Sequence, residues 1–188
     1  MKYKNKDTFR KICKQKIKKA MRQNKIKRDI LVCKKIEKLI EKTKAKNILF
    51  YLPMQQEIDV YKLLKKLRSS SKYNIFVPFM EGVSFKMVKF RLPLSKRRFG
   101  IFEPKNSFAK GGRIDLAIVP VLGVDGAFRR IGFGKGMYDR FFESLPYKPN
   151  IAFVELIECF TPSLVGVAHD IQADIYITPY ITIKRGKR

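Results

Sequence analysis

The sequence predicts an α/β fold: one three-layer domain with a central, mostly parallel sheet flanked by helices. Three observations carry this. Short apolar runs, each bounded by proline or glycine, alternate with stretches of helical periodicity. The chain has 188 residues, enough for one compact domain with a sizeable core. Hydrophobic residues make up 45% of it, including 15 Phe and 8 Tyr, which excludes a disordered chain.

The elements follow in order. Residues 5–22 place Phe9, Cys13, Ile17 and Ala20–Met21 on one stripe of an amphipathic helix. Residues 25–44 carry Ile26, Ile30, Cys33, Ile36 and Ile40 near helical spacing, so residues 5–44 read as a helical pair. Residues 47–52 form an apolar run ended by Pro53, the pattern of a buried strand. Residues 57–67 read as a helix with Val60, Leu63, Leu64 and Leu67 inward. Residues 73–77 read as a strand stopped by Pro78, and residues 83–90 alternate like a strand with one exposed face. Residues 91–113 are loop-rich. Residues 114–121 are the most apolar strand, 138–145 a helix, and 150–154 and 174–178 further strands. The basic tail over 181–188 is expected to fray from the single 1–188 domain.

Charge and cysteines bound the function. Lys and Arg number 42 against 16 Asp and Glu, a net +26. Residues 1–46 hold 19 of those cations and four carboxylates. Such a field attracts nucleic acid, acidic membranes, nucleotides or polycarboxylates. No long apolar run or signal-peptide pattern occurs, so no membrane association is expected. Cys13, Cys33 and Cys159 are odd in number and far apart. They predict neither a disulfide framework nor a zinc site and favour a reducing cytoplasm, with Cys13 and Cys33 as buried small hydrophobes.

The strongest chemical signal is R-I-G-F-G-K-G-M-Y-D over residues 130–139, between a strand and a helix. Gly132, Gly134 and Gly136 let backbone approach a ligand, Arg130 and Lys135 supply charge, and Asp139 closes the run. Clustered N–H groups and cations suit phosphate, and a carboxylate at the rim suits Mg²⁺. The spacing matches neither the Walker pattern nor a dinucleotide fingerprint, so a glycine-rich turn is the competing reading. Other elements join it: Lys6 and Arg10 four apart on the first helix, Y-L-P-M-Q-Q-E-I-D over 51–59, F-G-I-F-E-P over 99–104, and H-D-I-Q-A-D over 169–174.

In this order and spacing the set resembles the 5-formyltetrahydrofolate cyclo-ligase family, from Lys6 to about Thr178. The resemblance implies conversion of 5-formyltetrahydrofolate, polyglutamylated forms among them, to 5,10-methenyltetrahydrofolate, with ATP and Mg²⁺ consumed and used. It implies that Lys6, Arg10 and the loop Arg130, Gly132, Phe133, Gly134, Lys135, Gly136, Met137 and Tyr138 hold ATP. Leu52, Glu57 and Tyr138 would contact the folate, with Met54 and Met80 as apolar walls. Asp139 and Asp174 would hold Mg²⁺, and Lys135, the best placed, would with Arg130 stabilise the phosphoryl group in transfer. Two departures stand out: Met137 replaces a tyrosine, and Phe128 replaces a frequent glycine.

Each residue has a plainer reading. Lys6 and Arg10 fit a solvated helix face, Glu57 a helix N-terminus, and Asp174 a turn. The lone His169 reads as structural. A basic nucleic-acid-binding α/β protein is the alternative function; it needs a continuous basic face with exposed aromatics. A monomer in the cytoplasm is expected.

Overall fold

The computed structural model describes residues 5–96, 102–105 and 112–186. Seven strands form one sheet in the order β11-β10-β9-β6-β1-β2-β3. The central strands are β1 (Asn47–Leu49), β6 (Leu116–Pro120), β9 (Asn150–Val154) and β10 (Ile175–Ile177), with β2 (Asn74–Glu81) beside β1. These five run parallel, while β3 (Ser84–Lys89) and β11 (Thr182–Lys184) close the edges antiparallel. The mostly parallel α/β expectation holds.

Side-chain alternation explains the layers. Ile48, Ile118 and Ala152 join one core, whereas their neighbours Leu49, Ala117, Val119 and Phe153 join another. Successive strand residues point to opposite faces, so a continuous apolar run is what a doubly covered strand requires. Helices α1 (Lys6–Met21), α2 (Lys25–Thr43) and α3 (Tyr61–Ser69) cover the first face through Phe9, Ile36 and Leu64. Helix α4 (Met137–Glu143) covers the second, where Phe141 stacks on Phe85 at 4.3 Å.

Several expectations are corrected. Helix α2 buries Val32, Ile36, Leu39 and Ile40, while Ile26 and Ile30 are exposed. The periodicity was ambiguous because apolar residues occur on both sides of the helix. Pro78 does not stop its strand: β2 continues to Glu81. On its β1 side, Asn74 N donates to Lys46 O and Phe76 O accepts from Phe50 N. Pro78 is the next residue on that side, beyond the end of β1, so its missing N–H costs no ladder bond. Helix α3 starts at Tyr61, leaving Glu57 in the preceding turn. The loop over 91–113 contains a hairpin of β4 (Leu94–Lys96) and β5 (Phe102–Pro104); residues 99–101 of the F-G-I-F-E-P run lie outside the described residues. The tail is not frayed from 181, because Thr182–Lys184 pairs with Ile175–Ile177.

The cysteines also depart from expectation. Cys13 of α1 and Cys159, beyond β9, form a disulfide with Sγ atoms 2.11 Å apart. Cys33 remains a thiol, pushed up to about 12 by burial and by Asp29, Asp59 and Glu37. Sequence separation hid the pair: the cysteines stand 146 residues apart and meet where α1 packs against Gly123, whose neighbour Val124 N donates to Cys159 O. Among the described residues, no helix is long and apolar enough to cross a membrane.

Candidate active site

A short hairpin absent from the sequence reading, β7 (Gly123–Val124) with β8 (Arg130–Ile131), delivers Arg130 to the carboxyl edge of the sheet. Its turn rests on the fully buried Asp125, whose carboxylate accepts from Ala127 N, Arg129 N and Gly166 N, each at 2.9 Å. Phe128 in that turn takes φ +59°, the left-handed region that glycine occupies without strain. A non-glycine residue there costs on the order of 1–2 kcal/mol; burial of its ring beside Phe160 offsets this.

Arg130 is 7% exposed. Its Nε and Nη2 donate to Pro120 O, at the end of β6, at 3.2 and 3.1 Å. Its guanidinium lies 4.7 Å from the Tyr138 ring centroid. Gly132 makes this possible: a Cβ there would fall 2.2 Å from Arg130 Nη1. Gly134 and Gly136 take φ +98° and +60°. Arg140 fixes the loop from behind, donating from Nη2 to Lys135 O at 2.5 Å and from Nε to Val83 O at 2.9 Å.

Two cavities meet at Arg130 and Gly136. The first, about 250 Å³, is lined mainly by apolar side chains, among them Leu52, Met54, Met80, Phe133 and Met137. Glu57 is its carboxylate, with Oε2 accepting from Met54 N at 2.8 Å. Burial pushes Glu57 up to about 7, against the pull of that N–H and of Arg130. Burial likewise raises the Tyr138 hydroxyl, as does the Glu57 charge. Glu103 is buried and accepts from Met80 N at 3.2 Å, so it positions a wall of this cavity.

The second cavity, about 180 Å³, is polar and is lined by Lys6, Arg10, Gly132, Gly134, Asp139 and Asp170, besides Arg130. Arg10 Nε donates to Gly132 O at 2.8 Å, tying α1 to the glycine loop, and Arg10 also pairs with Asp7. Lys6 Nζ contacts both oxygens of Asp170 at 2.5 and 2.6 Å. Asp170 accepts from Val167 N at 2.7 Å, and Asp139 from Ile171 N at 3.2 Å. His169 borders this cavity.

Most of the predicted residues converge. Leu52, Glu57 and Tyr138 share the apolar cavity; Lys6, Arg10, Arg130 and Asp139 share the polar one. Four do not fit as expected: Phe133, Lys135 and Met137, expected against ATP, line only the apolar cavity, and Asp174 lies away from both. Lys135 lines the apolar cavity, leaving Arg130 as the loop cation common to both. Asp174 is not near Asp139's cavity: it sits at the amino end of the sheet, where Oδ2 accepts from Ile151 N at 2.9 Å and Oδ1 pairs with Arg185 at 3.0 Å. The other aspartate that lines Asp139's cavity is Asp170, four residues before Asp174. It was visible in H-D-I-Q-A-D but passed over for the second aspartate. Arg140, directly after the motif, was missed too, because an arginine in a helix looks like surface charge.

A parallel sheet with an apolar cavity and a cationic cavity joined by one buried arginine defines an α/β enzyme built to bring a ring substrate against an anion. The chain belongs to the 5-formyltetrahydrofolate cyclo-ligase family, whose model matches residues 2–174. The 5-formyltetrahydrofolate cyclo-ligase of Mus musculus is 26% identical over 181 residues, covering 86% of this chain and 87% of that protein. That of Haemophilus influenzae is 28% identical over 129 residues, covering 64% of this chain and 68% of its own length. The solution structure of Aquifex aeolicus 5,10-methenyltetrahydrofolate synthetase superposes with a TM-score of 0.76 at 26% identity, covering 97% of this chain and 94% of that one. A Mycoplasma pneumoniae 5,10-methenyltetrahydrofolate synthetase shares the fold, with a TM-score of 0.66 at 20% identity over 93% of this chain and 98% of that one.

Proposed function

We propose that this chain converts 5-formyltetrahydrofolate, polyglutamylated forms included, to 5,10-methenyltetrahydrofolate, turning ATP into ADP and phosphate. The observation that carries the reading is Arg130, one buried guanidinium forming the wall between a ring-sized apolar cavity and a phosphate-suited one. The pterin occupies the apolar cavity against Met54, Met80 and Tyr138, with Glu57 accepting from its N–H groups. The ATP phosphates meet Lys6, Arg10 and the glycine loop.

The chemistry needs no protein nucleophile. The formyl oxygen attacks the γ-phosphorus and ADP leaves; N10 then attacks the activated carbon, phosphate departs and the N10 proton is lost. Alignment and charge neutralisation are what the protein supplies. Arg130 faces both the formyl oxygen and the phosphoryl group, so its charge is useful where negative charge moves. Asp139 and Asp170 fit Mg²⁺, which favours one or two carboxylates together with phosphate oxygens. When bound, the ion would neutralise phosphate charge there; Lys6 and the Val167 and Ile171 amides hold the two carboxylates in place.

The test is an absorbance assay for methenyltetrahydrofolate with 5-formyltetrahydrofolate, ATP and Mg²⁺. Product that requires all three supports the reading; nucleotide binding with no product sinks it.

A further inference from the structure

Residues 1–46 carry a net charge of +15, and among the described residues the polar cavity uses only Lys6 and Arg10 of it. A third cavity, about 420 Å³, shares no lining residue with the other two. It lies beyond the carboxyl ends of β9 and β10, the edge where open α/β sheets bind ligands. Lys16 and Lys19, three apart on α1, line it together with Arg28 of α2. Tyr180 lines it as well and is 66% exposed.

These walls are fixed by hydrogen bonds. Thr178 N donates to Ile181 O at 3.0 Å, closing the turn that presents Tyr180. Lys35 Nζ donates to the carbonyls of both Thr178 and Ile181, at 2.8 and 3.1 Å. Arg28 donates to Gln23 O and Leu156 O at 3.3 and 3.4 Å, and its guanidinium lies 5.3 Å from the Tyr180 ring centroid. The guanidinium covers one face of the ring, and the high exposure leaves the other for a planar group.

We propose that this cavity is a second nucleotide site, stacking a base on Tyr180 and holding phosphate against Lys16 and Lys19. Inorganic phosphate or a polycarboxylate would use the lysines but not the ring. A fixed aromatic plane beside convergent cations is the combination that binds single-stranded nucleic acid. Glu158 at the rim suits this chemistry as an acceptor for base amino groups. A free nucleotide and a nucleotide within a strand present the same groups, so the source is decided by experiment.

The full-length protein is titrated with a fluorescent eight-residue oligouridylate, and separately with ADP in equilibrium dialysis. A strand source gives saturable oligouridylate binding; a free-nucleotide source gives two equivalents of ADP per chain. Under either source, Tyr180→Ala weakens binding at this site about tenfold or more, through lost stacking, with folate turnover unchanged. For the strand, Lys16→Gln with Lys19→Gln lowers the slope of log affinity against log salt by about 1.4, while Lys62→Gln with Lys65→Gln on α3 does not. Neither ligand binding beyond a single ADP, or equal losses in the two lysine pairs with no effect of Tyr180→Ala, would overturn the proposal.

Discussion

At the scale of single residues, Glu57 couples function to stability. Its carboxyl, buried in the apolar cavity, titrates near 7 rather than at its ordinary 4.5. Below the ordinary value both folded and unfolded states bind the proton. Between that value and 7 only the folded state keeps it, so native stability falls as pH rises through this window and then levels off. The loss is on the order of 3 kcal/mol by linkage. Glu57→Gln is expected to flatten that slope, unfolding at higher denaturant than wild type at pH 8, while weakening folate affinity. Denaturation at pH 5 and 8 checks it; a wild-type slope in the variant would place the titration elsewhere. Arg130 and Lys135 separate along the same logic. Arg130 borders both cavities and Lys135 only the apolar one. Arg130→Met is expected to cost about 10²–10³ in turnover; Lys135→Met should mainly alter folate affinity. Turnover and dissociation constants measured side by side decide this, and a collapse of turnover in the lysine variant alone would reverse the roles. The motif displayed both cations, and its sequence favoured Lys135, whereas the geometry favours Arg130. Their ranking depends on which way each side chain leaves the loop, and Gly132 sets that for Arg130 by leaving room for its guanidinium to fold back.

At the scale of elements, legibility followed burial pattern. The runs at β1, β6 and β9 were readable because both faces of each strand are covered, so every residue but the leading Asn47 and Asn150 is apolar. The β7–β8 hairpin was not, since each of its strands has two residues, too short for any periodicity. The misplacement of Asp174 has the same origin: one strand's length separates the two ends of the sheet, and spacing alone does not say which end an aspartate caps. Helix α1 shows what an element adds to its residues. Its stripe Phe9, Cys13, Ile17 and Ala20 is buried, which fixes the rotation that turns Lys6 and Arg10 toward the glycine loop. Lys6→Met with Arg10→Met is therefore expected to raise the Michaelis constant for ATP about tenfold or more, since each charge-assisted contact is worth roughly 1.5–3 kcal/mol. Lys62→Met with Lys65→Met removes equal charge from α3 and should change it little. Steady-state kinetics at physiological salt compares the two, and equal effects would mean long-range steering rather than contact.

At the scale of the whole molecule, the sheet is held to its N-terminal helix by more than packing. The Cys13–Cys159 disulfide joins α1 to the segment after β9 across 146 residues of sequence. Closing so long a loop restricts the unfolded chain, by about 5 kcal/mol in the chain-entropy account and less where the unfolded state keeps structure. The native state gains little geometry from the bond, because Cys13 and Cys159 are fully buried and Phe9, Ile17 and Ala20 already seat the helix. Stability and activity should thus respond differently to reduction. In Cys13→Ser with Cys159→Ser, the melting temperature is expected to fall by about 5–15 °C. The Michaelis constant for ATP should stay within about twofold of wild type at 25 °C, because Lys6 remains paired with Asp170 and Arg10 with Gly132. Thermal unfolding with and without reductant, followed by kinetics on the double variant, separates the two. A melting temperature unmoved by either treatment would show that the thiols do not pair in solution. A large rise in the Michaelis constant would show that the cross-link, rather than the apolar stripe, sets the position of α1 over the phosphate cavity.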